Sequence, residues 1–298
     1  MRIFRTNKAA IGSLCAVLAG VCWGTTGTLQ ALAPTGLHPL ALGGTRLIVA
    51  SLLLFPAALH KEGSAFVKER WSWIGLLTAG GGMALYQLCF FAAVRLAGVG
   101  VGTMIAIGTA PIIAGLMARF FFGERLFLSW WMATFLAIAG CYLLVFGWGE
   151  IGGELNLVGV VLALCAAFGY SLQGIGLRVL CKDRNSFDAA VGMTMTGALF
   201  CLPVVLYIGV PWLFTAHGAL IVMVLVLFST ITPYILFSKG LEHISIGKAY
   251  TLTLTEPLTA CLLAVFLLGE TLDFASVAGV FLVFCAVFLL ARGNASAS

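Results

Sequence analysis

Charge is what this chain has least of. Only 9% of its residues are Asp, Glu, Lys or Arg, against about 25% in a soluble domain. Hydrophobic residues make up 61%, and the mean hydropathy is +1.10. Such a composition cannot coat a folded chain of 298 residues with polar groups in water. A bilayer is the solvent that fits it.

Several functional signatures are also missing. No H-E-x-x-H or G-x-S-x-G sequence occurs. His38, His60, His217 and His243 are dispersed and lie near expected loops. A lipid-modifying enzyme would need a nucleophile–base pair or a metal cluster, so no catalytic residue, metal site or cofactor is expected. The glycine run at Gly80, Gly81 and Gly82 is not followed by the lysine of a phosphate loop. Without a nucleotide-binding motif, any work on a solute must draw on a gradient. The net charge of +5 is not gathered into a basic patch, which argues against nucleic acid as a partner. Nine cysteines contain no C-x-x-C spacing, and all but Cys181 sit in apolar runs. They read as small packing residues, and a disulfide framework or zinc site is unsupported.

What is present is a series of apolar runs about twenty residues long. Barrel strands would alternate apolar and polar residues over about ten positions. Continuous runs indicate helices, which satisfy their own backbone hydrogen bonds in lipid. The pattern predicts spans near 9–31, 39–60, 72–95, 100–121, 128–147, 156–180, 186–210, 215–239, 245–268 and 273–292. The basic start, Arg2, Arg5 and Lys8, resembles a secretory signal. Its apolar stretch exceeds the usual 7–15 or so residues, so it reads as an uncleaved first helix. The expected fold is an all-α membrane protein of ten transmembrane helices.

Cations set the expected orientation. With the N-terminus inside, Lys61, Lys68, Arg70, Arg119, Arg125, Arg178, Lys182, Arg184, Lys239, Lys248 and Arg292 all fall on the cytoplasmic side. Only Arg95 falls outside, and Arg46 lies within a span. This bias predicts a bacterial-type inner membrane protein with both termini cytoplasmic.

The sequence repeats itself. The segment 109–126 aligns with 255–272 at an offset of 146, which pairs Pro111 with Pro257 and Gly123-Glu124 with Gly269-Glu270. Thr109, Ala114, Leu116, Ala118, Phe120 and Leu126 also meet identical residues. The chain therefore reads as two five-helix units, 1–150 and 151–298. Five is odd, so the units are expected to be inverted relative to each other. Inverted units can exchange conformations around a site near the midplane.

The ordered motifs resemble one family. They are the run from Ala19 to Trp23-Gly24, Gly44-Thr45-Arg46-Leu47, Pro111 through Gly123-Glu124-Arg125, Ser229-Thr230 with Pro233-Tyr234, and Glu256-Pro257 through Gly269-Glu270. In that order they look like the drug/metabolite transporter superfamily, specifically its ten-helix EamA-type exporters. The resemblance covers nearly the whole chain. It implies a secondary transporter exporting an amino acid, a similar small metabolite or a drug by alternating access, through proton antiport or facilitated flow. A flippase for lipids or lipid-linked metabolites, of related architecture, is the alternative. Partners are then the small-molecule substrate, the lipid bilayer and, in the coupled case, protons. Either a monomer or a homodimer is compatible.

Polar groups within spans are the candidate site residues. Glu256 lies about eleven residues into span nine, about 16 Å deep at 1.5 Å per residue, near the middle of a core about 30 Å thick. A carboxylate there needs pairing, hydration or a proton. It is a candidate for proton coupling or for a substrate amine, and equally for a structural hydrogen bond. Arg46, about 10 Å below the outer end of span two, is a candidate for an anionic group. It is also long enough to snorkel outward or to pair with a carboxylate. Trp23, Tyr86, Gln87, Tyr170, Gln173, Tyr234 and Tyr250 are candidates for lining a substrate site, with ordinary interhelical packing the competing account of each. Pro111 and Pro257 are expected to kink their helices. Glu124 and Glu270 read as capping or loop-fixing residues. Trp71, Trp73, Trp130, Trp131, Trp148 and Trp212 read as interface anchors.

Overall fold

The structure is a computed structural model and describes residues 2–31, 38–146, 156–268 and 274–292. Trp148, Gly269 and Glu270 lie outside the described residues. Helices and turns are the regular elements among the described residues. They are α1 (Arg2–Ala31), α2 (Pro39–Glu62), α3 (Ala65–Lys68), α4 (Trp73–Ala97), α5 (Val99–Phe122), α6 (Leu128–Phe146), α7 (Leu157–Leu180) and α8 (Ser186–Ile208). They continue with α9 (Ala216–Val226), α10 (Thr232–His243), α11 (Ile246–Leu252), α12 (Thr255–Leu268) and α13 (Phe274–Arg292).

Among the described residues, ten helices are long and apolar enough to cross a membrane, and they coincide with the ten expected spans. Two of those spans are irregular. In the eighth, α9 and α10 are joined through a π-helical turn at Leu227–Ile231. The ninth breaks at Thr253 and Leu254, between α11 and α12. Phe120, Tyr207, Phe214 and Phe274 face outward, each more than four-fifths exposed. An apolar exterior of this kind suits lipid and not water.

Glycine contacts fix the helix directions. Along the α4–α7 seam, Gly75 meets Leu180, Gly176 meets Ala79, Gly82 meets Gly169, and Gly159 meets Ala97, so the helices run antiparallel. A Cβ on Gly169 would lie 2.8 Å from both the Gly82 oxygen and the Tyr86 nitrogen. The missing side chains are what let these backbones approach. The eighth span runs antiparallel to α1, with Gly12 against His243 and Thr26 against Ser229. Gly44 against Cys201 and Val205, with Gly197 against Leu47, makes α8 antiparallel to α2. Likewise α13 runs antiparallel to α6 through Gly140, Leu144, Gly279 and Val283.

The packing pairs also map onto one another when the two halves are exchanged. Third span on sixth (α4–α7) corresponds to eighth on first (α10–α1). Fourth on sixth (α5–α7) corresponds to ninth on first (α12–α1). Second on seventh, fifth on tenth and fourth on ninth correspond to themselves.

One end of the bundle gathers charge. Arg184 is 2.7 Å from Glu69 and stacks over Trp71, and Lys182 lies over Phe122. Trp71 donates from Nε1 to the Phe66 carbonyl at 2.9 Å. Trp73 is exposed, as an anchor would be, but Trp130 and Trp212 are buried. This corrects the expectation for those two. Trp130 has left the interface to fill the space that Gly115 and Gly247 leave open.

Candidate functional site

The site is built around the break in the ninth span. Pro257 has no N–H, so its usual acceptor, the Thr253 carbonyl, needs another donor. The Glu256 N–H supplies it at 2.9 Å, a tighter bond that unwinds the turn. The Leu254 N–H likewise goes to the Thr251 carbonyl, at 3.2 Å. That leaves the Tyr250 and Leu252 carbonyls without their helical donors. The Thr253 hydroxyl donates to Tyr250 at 2.8 Å, and the Thr255 hydroxyl to Leu252 at 3.0 Å. The threonines therefore close the hydrogen-bond account that lipid leaves open. The Thr255 hydroxyl also lies 3.2 Å from the Val17 carbonyl of α1. Pro111, the counterpart in the first half, sits inside a continuous α5. The two prolines thus have different local consequences.

Rings from both halves converge beside this break. Trp23 meets Tyr170 at 5.9 Å, Tyr234 at 5.4 Å and Phe237 at 5.5 Å between centroids. Tyr170 meets Tyr86 at 5.1 Å and Tyr250 at 4.7 Å. Phe237 closes the group on Tyr250 at 5.2 Å. Most pairs are edge-to-face or tilted, the favoured geometry for aromatic quadrupoles. Tyr250 is fully buried, and its hydroxyl donates to the Tyr170 carbonyl. Gly174 makes room for that ring.

Two opposite charges border the cluster. Arg46 on α2 is buried and therefore does not snorkel. Its Nη1 lies 3.5 Å from the Ser229 hydroxyl, which in turn bonds Thr26, while its Nε has no partner. The π-turn of the eighth span, just before Pro233, is what presents Ser229. Glu256, in the first turn of α12, keeps partial exposure. It stands near enough to Arg46, Tyr86, Tyr170 and Tyr234 to interact with them electrostatically. Arg46 and Glu256 nevertheless form no direct ion pair; the salt bridges among the described residues are Lys61–Glu62 and Arg184–Glu69.

The structure thus brings together Trp23, Arg46, Tyr86, Tyr170, Tyr234, Tyr250 and Glu256. Gln173 is fully buried on α7 one turn from Tyr170, with both amide atoms unpartnered. Gln87 is buried on α4 beside Tyr86, with its amide oxygen toward Gly43 of α2, one turn from Arg46. Sequence reasoning missed Phe237, Thr26, Thr253 and Ser229 as members. Ser229 and Thr230, a polar pair in an apolar run just upstream of Pro233, were the available signal.

Comparison with known proteins is consistent across the chain. The model of the EamA-like transporter family matches twice, over residues 10–146 and 157–292. The uncharacterized transporter YwfM of Bacillus subtilis (strain 168) is 37% identical over 284 residues, covering 95% of this chain and 94% of that protein. An uncharacterized transporter of Archaeoglobus fulgidus is 21% identical over 93% of this chain and 96% of its own length. A solved crystal structure superposes with a TM-score of 0.80 at 19% identity, covering 93% of this chain and 95% of that one, which establishes likeness of fold.

Proposed function

Because this chain belongs to the EamA-like transporter family, we propose that it is a secondary carrier exporting a small amphipathic metabolite, of the amino-acid kind, or a drug. One observation carries this reading. A buried cation from the first half and a carboxylate from the second stand unpaired beside a wall of aromatic rings drawn from both halves. Arg46 would receive the anionic group of the solute, Glu256 its amine, and the rings its apolar part. Glu256 would also carry the coupling proton, since proton and amine compete for one carboxylate.

Alternating access is supported by the repeat. The family model matches each half, the packing pairs exchange, and helices of the second half run against their neighbours in the first. Two inverted five-helix units, 1–150 and 151–298, would rock about the central cluster. The cation-rich end would face the cytoplasm of a bacterial-type inner membrane. One chain encloses the site, so a monomer would suffice.

The test is flux in proteoliposomes, using zwitterionic, cationic and anionic solutes with and without a pH gradient. The expected result is movement of an amphipathic zwitterion, accelerated by the gradient. If no solute moves while labelled phospholipid changes leaflet, a flippase replaces this reading.

A further inference from the structure

Three segments meet at the charged end of the bundle, at the start of α11, one turn before Tyr250 of the aromatic cluster. Glu124 lies in the turn between α5 and α6. Both its carboxylate oxygens accept from the Ile246 N–H, each at 3.1 Å, at the first residue of α11. Arg178, near the end of α7, donates from Nη1 to the Ile244 carbonyl at 3.3 Å. Its charge also acts on Glu124. Beneath these bonds the Trp130 ring is wedged between Gly115 of α5 and Gly247 of α11.

These contacts are not needed to begin α11. That helix already has its own cap, the Ser245 hydroxyl, which accepts from the Lys248 N–H at 3.4 Å. A second acceptor brought from the other half therefore does a different job: it ties the fourth span to the ninth. The ninth span carries Tyr250 and Glu256, so the tie joins the helix of the central cluster to the first half at this end. At loop level the joint rests on these polar bonds, above the buried packing of Trp130 and the Thr134–Thr251 hydroxyl bond. Gly115 and Gly247 flank it without interlocking side chains of their own.

Resting on the carrier reading above, we infer that Glu124 and Arg178 form a latch closing the cation-rich end, and that it opens once in every transport cycle. A permanent brace would make the same bonds but would never need to break. The two are separated by holding the joint shut. In a background with the native cysteines replaced, E124C and I246C are bridged by a short bis-methanethiosulfonate. The latch requires flux to fall at least tenfold on bridging and to return with reductant. Undiminished flux in the bridged protein overturns it and leaves the carrier reading intact.

A second measurement does not depend on transport. Cys22, half-buried beside Trp23, is kept as the sole thiol. An impermeant thiol reagent is then supplied from the Glu124 side. Glu124→Ala should raise the labelling rate about fivefold or more, and an unchanged rate overturns the latch. If wild-type protein carries none of the solutes, the carrier reading fails and the latch, defined by its cycle, fails with it.

Discussion

Tyr250 donates its hydroxyl to the backbone carbonyl of Tyr170, so one bond ties the ninth span to the sixth within the aromatic cluster. The acceptor sits on a helix and keeps its own backbone donor when the hydroxyl is lost. Tyr250→Phe should therefore cost only about 1 kcal/mol of stability. Flux should fall more than that loss suggests, because the ring is then free to shift against Trp23's neighbours. Thermal unfolding in detergent and flux on the same preparation check this; equal, minor effects on both would argue for simple packing.

Glu256→Gln removes the charge and keeps the shape. Uphill transport driven by a pH gradient should disappear and an amine-bearing solute should bind more weakly, while thermal stability stays near wild type. Continued accumulation against a gradient would remove Glu256 from the coupling role.

The α4–α7 seam has no room for side chains. Gly169→Val places methyl groups into the Gly82 oxygen and the Tyr86 nitrogen, backbone atoms that cannot rotate away. Overpacking of this kind costs about 1–3 kcal/mol or more. Reduced yield and a lower unfolding temperature are expected. Gly63→Ala introduces no such clash in space but strains a positive φ of 62°, so its effect should be smaller.

Thr255→Val is close in volume but leaves the Leu252 carbonyl without the hydroxyl that serves it. An unmet buried acceptor costs about 1–3 kcal/mol. Thr255→Ser restores the donor and should recover most of the loss. Equal stability of the Val and Ser variants would show that this hydroxyl does not support the break.

Burial raises the Glu124 carboxyl above its ordinary range, partly offset by the Ile246 N–H, Arg178 and the Gly247 N–H. A raised acid binds its proton more tightly in the folded state than in the unfolded one. Stability from this group is therefore greatest at low pH. It is lost as pH rises from the ordinary carboxylate range through the raised folded value. Glu124→Gln should flatten that part of the stability–pH curve, as read from unfolding temperatures across a buffer series.

The spans were legible because lipid imposes a simple rule. An apolar run must be long enough to cross, and Pro39–Glu62 or Ser186–Ile208 could hardly be divided otherwise. The depth of Arg46 and Glu256 followed from counting residues. Their approach to one cluster did not, since direction around a helix depends on neighbours far away in the chain. The break at Thr253 was hidden for a different reason. Pro111 and Pro257 occupy matching motifs, yet only the second adjoins a break, where threonine hydroxyls take over the carbonyls. Trp130 misled by position: a tryptophan near a helix end suggests an anchor, and only the glycines opposite reveal a socket. Glu124 was readable as a cap, but not as a cap for the other half of the molecule.

The threonines at the break have a wider implication. A spanning chain surrounded by hydrocarbon normally cannot bend without exposing amide groups that nothing nearby will solvate. Here the joint carries its own solvent in the form of side-chain hydroxyls. A change of tilt between α11 and α12 would leave each of those carbonyls with a hydroxyl within reach.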